Sequence, residues 1–199
     1  MNFKRVFHHW YIYVISAIIV TLLFSWAVSL VTRPSKEERI RICLSSYGAN
    51  RAALVQALQQ KAPSYLREID VDTIDLDAND YYRFYEVYAP NADIIILPEF
   101  KAREGVEKGT LPLNRQYVHT LIPEYVSPFF EVNSVPYGLM VYDCKAAIGG
   151  AISYVDYVKE GKEAASYFAF FNEKSLHAGE LNQQGRDGDF SILKAYLTL

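Results

Sequence analysis

Several chemistries are excluded by what these 199 residues lack. A serine hydrolase needs a Gly-x-Ser-x-Gly elbow, and none occurs. No Gly-x-x-x-x-Gly-Lys segment could cradle a phosphate, and no dinucleotide fingerprint opens a helix. His119 and His177 are the only histidines beyond the N-terminal tail, each isolated, with no His-x-x-x-His or Cys-x-x-Cys spacing for a metal. Asp70, Asp72, Asp75, Asp77 and Asp80 form an acidic cluster without the loop glycine of a calcium-binding hand, so they read as a solvated face. Neither an enzyme nor a metal or other cofactor is expected. Cysteine is scarce: Cys43 and Cys144 allow at most one disulfide, and pairing and buried free thiols stand equally open. Internal repeats and low-complexity tracts are missing too.

Charge is missing altogether from Trp10 to Thr32, and that gap is the strongest signal in the chain. Twenty-three uncharged residues exceed the roughly 20 that a helix needs to cross a hydrocarbon core of ~30 Å. Trp10, Tyr11 and Tyr13 stand at one end and Trp26 near the other, where amphipathic rings suit the headgroup level. Lys4 and Arg5 ahead of this run also fit a secretory signal, with Ala27-Val28-Ser29 as its small-x-small site. The apolar stretch is longer than the usual signal core of about 7–15 residues, which favours an uncleaved anchor. No cysteine follows it directly, which argues against a lipid-modified N-terminus. The expected organisation is a cytoplasmic tail over 1–9, a transmembrane helix over 10–32, a connector over 33–39 and one domain over 40–199.

Lys4 and Arg5 are the only charged residues among the first 32, so the remaining 167 carry 18 basic and 23 acidic side chains, a formal charge of −5. That is the wrong sign for a nucleic-acid partner. The length suffices for one domain with its own core. Sixteen tyrosines and eleven phenylalanines are the compositional oddity; aromatics suit cavities and interfaces, but at this density most must fill the core.

Periodicity predicts a strand at Ile40–Leu44, a turn-rich loop at 45–50, and a helix with Leu54, Val55, Leu58 and Ala62 on one face, stopped by Pro63. A second strand is expected within 69–76. A helix capped from Asp77-Ala78-Asn79-Asp80 should then align Tyr81, Phe84, Tyr85 and Tyr88. The unbroken apolar run Ile94–Leu97 reads as a strand covered on both faces. This alternation argues for an α/β domain with a mostly parallel sheet flanked by helices. Further on, helices are expected at 101–109, at 146–159 and, capped by Asp187, through Ile192, Leu193, Tyr196 and Leu197. Strands are expected at 137–142 and 167–171.

Taken in order, these segments resemble an extracytoplasmic solute-binding protein of the type II periplasmic-binding fold, used by bacterial transport systems. The likeness rests on the opening strands closed by ADIIILPEF at 92–100, on KGTLPLN at 108–114, on NSVPYGLMVYD at 133–143 and on YFAFFNEKSLHAGE at 167–180. The resemblance implies one lobe of that fold, with its first three strands in the order 2-1-3. About 50 residues, Leu113–Ala165, remain for a second lobe, too few for the usual one. A single lobe would need a partner membrane protein or a second copy of the chain to complete a cleft around a small solute.

In an open parallel sheet, ligands gather at the carboxyl ends of the strands. That rule selects Ser45, Ser46 and Tyr47 after the first strand, Glu99 after the third, and Tyr137 and Asp143 on the fourth. The resemblance adds Asn172 and Ser175. Each also has a purely structural role open to it: Ser46 and Asn50 as helix caps, Glu99 as an exposed surface residue, Tyr137 as core. Basic residues are more numerous after the apolar run than before it, so their count alone does not favour a cytoplasmic N-terminus. The short basic tail and the resemblance nonetheless point to a single-pass cell-membrane protein with an extracytoplasmic domain. Two functions stand open: a non-catalytic, transport-associated solute-binding-like protein, and an interaction, sensor or adaptor module of a membrane complex.

Overall fold

The computed structural model describes residues 10–182 and 186–199. The tail with Lys4 and Arg5 lies outside the described residues. The chain divides into two units, one ending at Ser35 and one starting at Lys36. In the first, helix α1 spans Trp10–Thr32, long and apolar enough to cross a membrane. Two of its hydroxyls bond back to its own backbone: Thr21 Oγ1 donates to the Ala17 carbonyl and Thr32 Oγ1 to that of Val28, both at 2.8 Å. Each hydroxyl thus finds its acceptor within the helix itself.

The second unit is a three-layer α/β/α domain. Its strands are β1 (Arg39–Ser46), β3 (Glu68–Asp75), β4 (Ile94–Pro98), β5 (Phe129–Val132), β6 (Val135–Asp143) and β9 (Tyr167–Phe171), joined in the order β3-β1-β4-β9-β6-β5. A short strand β7 (Ile148–Gly149) pairs with β6, and β2 (Gly48–Ala49) with β8 (Val155–Asp156) apart from the main sheet. The sheet is mixed. β3, β1 and β4 run parallel in the 2-1-3 order, while β9 lies antiparallel to both β4 and β6. The expectation of a mostly parallel sheet is corrected at this point. A strand that returns from the far end of the chain is free to enter in either direction, and its local pattern records neither.

Alternation along the strands builds two cores. Ile40, Ile42 and Leu44 of β1, Ile94 and Ile96 of β4, and Tyr167, Ala169 and Phe171 of β9 face one side. They meet helices α2 (Arg51–Lys61), α5 (Arg115–Leu121) and α6 (Gly188–Leu197), through Leu54, Leu58, Val118 and Ile192 among others. Cys43, Ile95, Leu97, Phe168 and Phe170 face the other side, under helix α3 (Tyr81–Tyr88) and the short α4 (Glu99–Ala102). Most of the tyrosine surplus is spent here. Tyr157 stacks on Tyr142 with ring centroids 4.4 Å apart, donates to the Gly150 carbonyl at 2.7 Å, and accepts from Tyr196 Oη at 2.5 Å. Large rings can be buried because each polar tip finds a partner.

Local chemistry explains the boundaries. Asn50 caps α2, its side chain accepting from the Ala53 amide at 3.2 Å. Asp80 and Asp187 occupy the corresponding positions of α3 and α6 but make no side-chain cap bond. Asp187 instead accepts from the Tyr117 hydroxyl. The helix expected over 101–109 ends at Ala102 and gives way to turns, with Gly105 and Gly109 at positive φ. No helix forms over 146–159. Gly149 enters β7, and Gly150 packs so tightly that an added Cβ would lie 2.4 Å from the Tyr196 carbonyl oxygen. Nor do residues 113–165 form a second lobe: Leu113, Val118, Ile122, Leu139, Val141, Val155 and Tyr157 all join the core of the first.

Candidate functional site

Because β4 and β6 are separated by an antiparallel strand, they run in the same direction and end at the same edge as β1. Three loops therefore meet there. The first, after β1, is already committed. Ser45 is fully buried with Oγ 3.0 Å from the Tyr81 hydroxyl, and Ser46 is buried and donates to the Gly48 carbonyl at 3.0 Å. Burial drives the Tyr81 hydroxyl well above its ordinary pKa, so this pair is neutral and interior. Tyr47 is half-buried, and its backbone amide donates to the Asp156 carbonyl at 3.0 Å.

The other two loops frame open space. Glu99, the first residue of α4, and Asp143, the last of β6, line one cavity of about 480 Å³. Phe100, Met140 and Pro128 supply apolar wall, and the segment Glu163–Ser166 closes one flank. Glu99 pairs with Arg103 one helical turn on, and Asp143 Oδ1 accepts from the Lys145 amide at 2.9 Å. Phe100 remains 39% exposed. Just ahead of the flanking segment, Lys159 and Lys162 both reach Asp77 at 2.6 Å. Hydrogen bonds from these two lysines hold the Asp77 carboxyl below its usual range.

The remaining expected site residues sit elsewhere. Tyr137 lies near the start of β6, and Asn172 and Ser175 follow the end of β9, so all three occupy the opposite edge of the sheet. Asn172 is buried, donates from Nδ2 to the Ala89 carbonyl at 3.1 Å and accepts the Lys174 amide at 2.9 Å. Ser175 is buried against Asp189. Tyr137 packs on the second core. Of the eight positions, Glu99 and Asp143 share the cavity. Phe100 and Arg103 were overlooked, although the Glu99–Arg103 spacing is a legible i,i+4 pair. Among the described residues, no group of three or more His, Cys, Asp or Glu side chains could hold a metal ion.

No family model matches the chain, and no curated protein matches it. Among solved structures it is similar to an ABC substrate-binding protein from Listeria monocytogenes in complex with cycloalternan, at 17% identity and a TM-score of 0.34, covering 52% of this chain and 29% of that one. It is also similar to an N-glycan transport solute binding protein from Streptococcus pneumoniae in complex with Man1GlcNAc, at 16% identity and a TM-score of 0.35, covering 53% and 25%. The chain thus spans less than a third of either protein, and the ligands named are theirs.

Proposed function

We propose that this chain is a membrane-anchored, non-catalytic solute-binding-like protein associated with transport, with its domain on the extracytoplasmic side. The observation that carries the reading is the cavity at the carboxyl ends of β4 and β6, where Glu99, Asp143 and the exposed Phe100 ring meet. Its volume falls within the ~300–1,000 Å³ of small-molecule sites. Carboxylates that accept hydroxyl protons beside an aromatic face suit a sugar, and the same carboxylates suit a cationic solute. One wall of protein holds a ligand weakly, so the complete site includes a surface from a partner membrane protein or a second copy. The test is a thermal-shift and equilibrium-binding screen of sugars, amino acids and oligopeptides against the full chain in neutral detergent. Weak binding that the double variant E99Q/D143N abolishes supports the proposal. Binding that survives the double variant sinks this site.

A second reading, an interaction module that holds no solute, is favoured by a different observation. Val126 is 91% and Ile148 70% exposed, apolar side chains with no role in the domain's own core. Silence across the solute screen, together with a protein that co-purifies from membranes and is lost in V126D or I148D, would favour it.

A further inference from the structure

At the edge of the sheet away from the proposed solute cavity, β1 begins with alternating cations. Arg39 and Arg41 share the face of Cys43, because Ile40 and Ile42 are turned into the first core. Helix α3 covers that face farther along, and the 3-10 turn Ala89–Asn91 that follows it leaves a cavity of about 250 Å³ around the two arginines. Lys36 and Lys174 line the same cavity, the latter brought in by the turn after β9. His177 secures the approach: its Nε2 lies 3.2 Å from the Lys36 carbonyl oxygen and 3.1 Å from that of Arg39, both acceptors, so it donates to them.

None of these four cationic groups makes an ion pair within 4.0 Å among the described residues. Arg41 Nε is buried with no hydrogen-bond partner, which a native interior rarely leaves unexplained. Asp93 is the one acid lining the cavity among the described residues. Its Oδ2 accepts the Arg41 backbone amide at 2.8 Å, and burial raises its carboxyl above the usual range, which lessens the negative charge it presents. Four unpaired cations around one hollow, two of them with guanidinium forks, match an anion with several acceptor oxygens.

We propose that Lys36, Arg39, Arg41 and Lys174 form a phosphate-binding site independent of the solute cavity. In sequence, only Arg33, Pro34 and Ser35 separate Lys36 from the end of α1. A bilayer crossed by that helix keeps its headgroup phosphates within a few residues' reach of the first cation, so a lipid phosphodiester and a free phosphate are the two sources of one chemistry.

The test uses the full chain, with labelled arginine side chains, in neutral detergent micelles. Inorganic phosphate and short-chain phosphatidylglycerol are titrated separately while the Arg41 Nε–H resonance is followed. A saturable shift with either probe, weakened about tenfold or more in the pair R39Q/K174Q, is the expected result, since each lost charge-assisted bond costs at least that factor. Unchanged resonances of Arg51 and Arg115 confirm that the variant folds. Saturation by the lipid at concentrations where phosphate is silent assigns the site to the membrane, and the converse assigns it to the free ion. No saturable shift with either probe, or equal affinity in R39Q/K174Q, overturns the proposal.

Discussion

Ser175 Oγ donates to Asp189 Oδ2 across 2.7 Å, and both side chains are buried. The bond ties the turn after β9 to the first turn of α6. The same Oγ accepts the His177 amide at 3.1 Å, so the hydroxyl is used in both directions. Ser175→Ala should destabilise the domain by about 1–3 kcal/mol, the cost of stranding a buried acceptor. Urea unfolding of the full chain in neutral detergent measures it, and a loss below a few tenths would contradict the assignment.

Asp189 also predicts a pH dependence. Burial, and then repulsion from Asp93, raise its folded pKa well above the ordinary carboxylate value. The folded chain therefore keeps a proton that the unfolded chain releases above a pH of about 4, and stability falls as pH climbs from there. Asp189→Asn removes that proton exchange. The variant should be close to wild type in stability below pH ~4 and gain on it steadily at higher pH. A gap that narrows with rising pH would refute this.

Gly138 sits where β6 crosses β9, and an added Cβ would lie 2.5 Å from Cε1 of the Phe170 ring, which is fully buried. Gly138→Ala should cost about 1–3 kcal/mol by overpacking. The pair Gly138→Ala with Phe170→Leu should recover part of it in a double-mutant cycle, because the ring is the obstacle.

Cys43 and Cys144 are both free thiols. Cys43 is buried and its pKa is pushed up to about 12, chiefly by desolvation, whereas Cys144 is half-buried. An impermeant maleimide should label Cys144 on intact cells within minutes and Cys43 only after unfolding, since the thiolate is the reactive form. Labelling that requires permeabilised cells would place the domain in the cytoplasm.

Tyr81→Phe separates structure from binding at the β1 loop. Loss of the Ser45 partner should cost about 1 kcal/mol of stability. Solute affinity, where present, should be unchanged, because Ser45 is sealed from the cavity that Glu99 and Asp143 line. A parallel loss of affinity would return Ser45 to the site.

What could be read ahead of the structure was local. The all-buried run Ile94–Leu97, the cap at Asn50 and the stripe Leu54–Leu58 are short-range patterns, and the backbone follows them. Asn172 and Ser175 were grouped with Glu99 through the resemblance alone, and no residue pattern placed them at that edge. β9 runs the other way, so the turn that follows it emerges at the opposite edge. No pattern within Tyr167–Phe171 records that direction, since five successive buried residues look the same from either end. The basic hollow was invisible for a related reason: Lys174 joins Arg39 and Arg41 only through the fold.

The placement of β9 also sets a timetable for synthesis. Its five residues fill the gap between β4 and β6, yet they are made about seventy residues after β4. Until Phe171 has emerged, Ile94–Leu97 presents an open, apolar strand edge, the kind that pairs with neighbouring chains. Long-range closure of this sort is slow. A chain interrupted before Tyr167 is therefore an aggregation-prone fragment rather than a smaller version of the domain, and the nascent protein depends on protection of that edge until its last strand arrives.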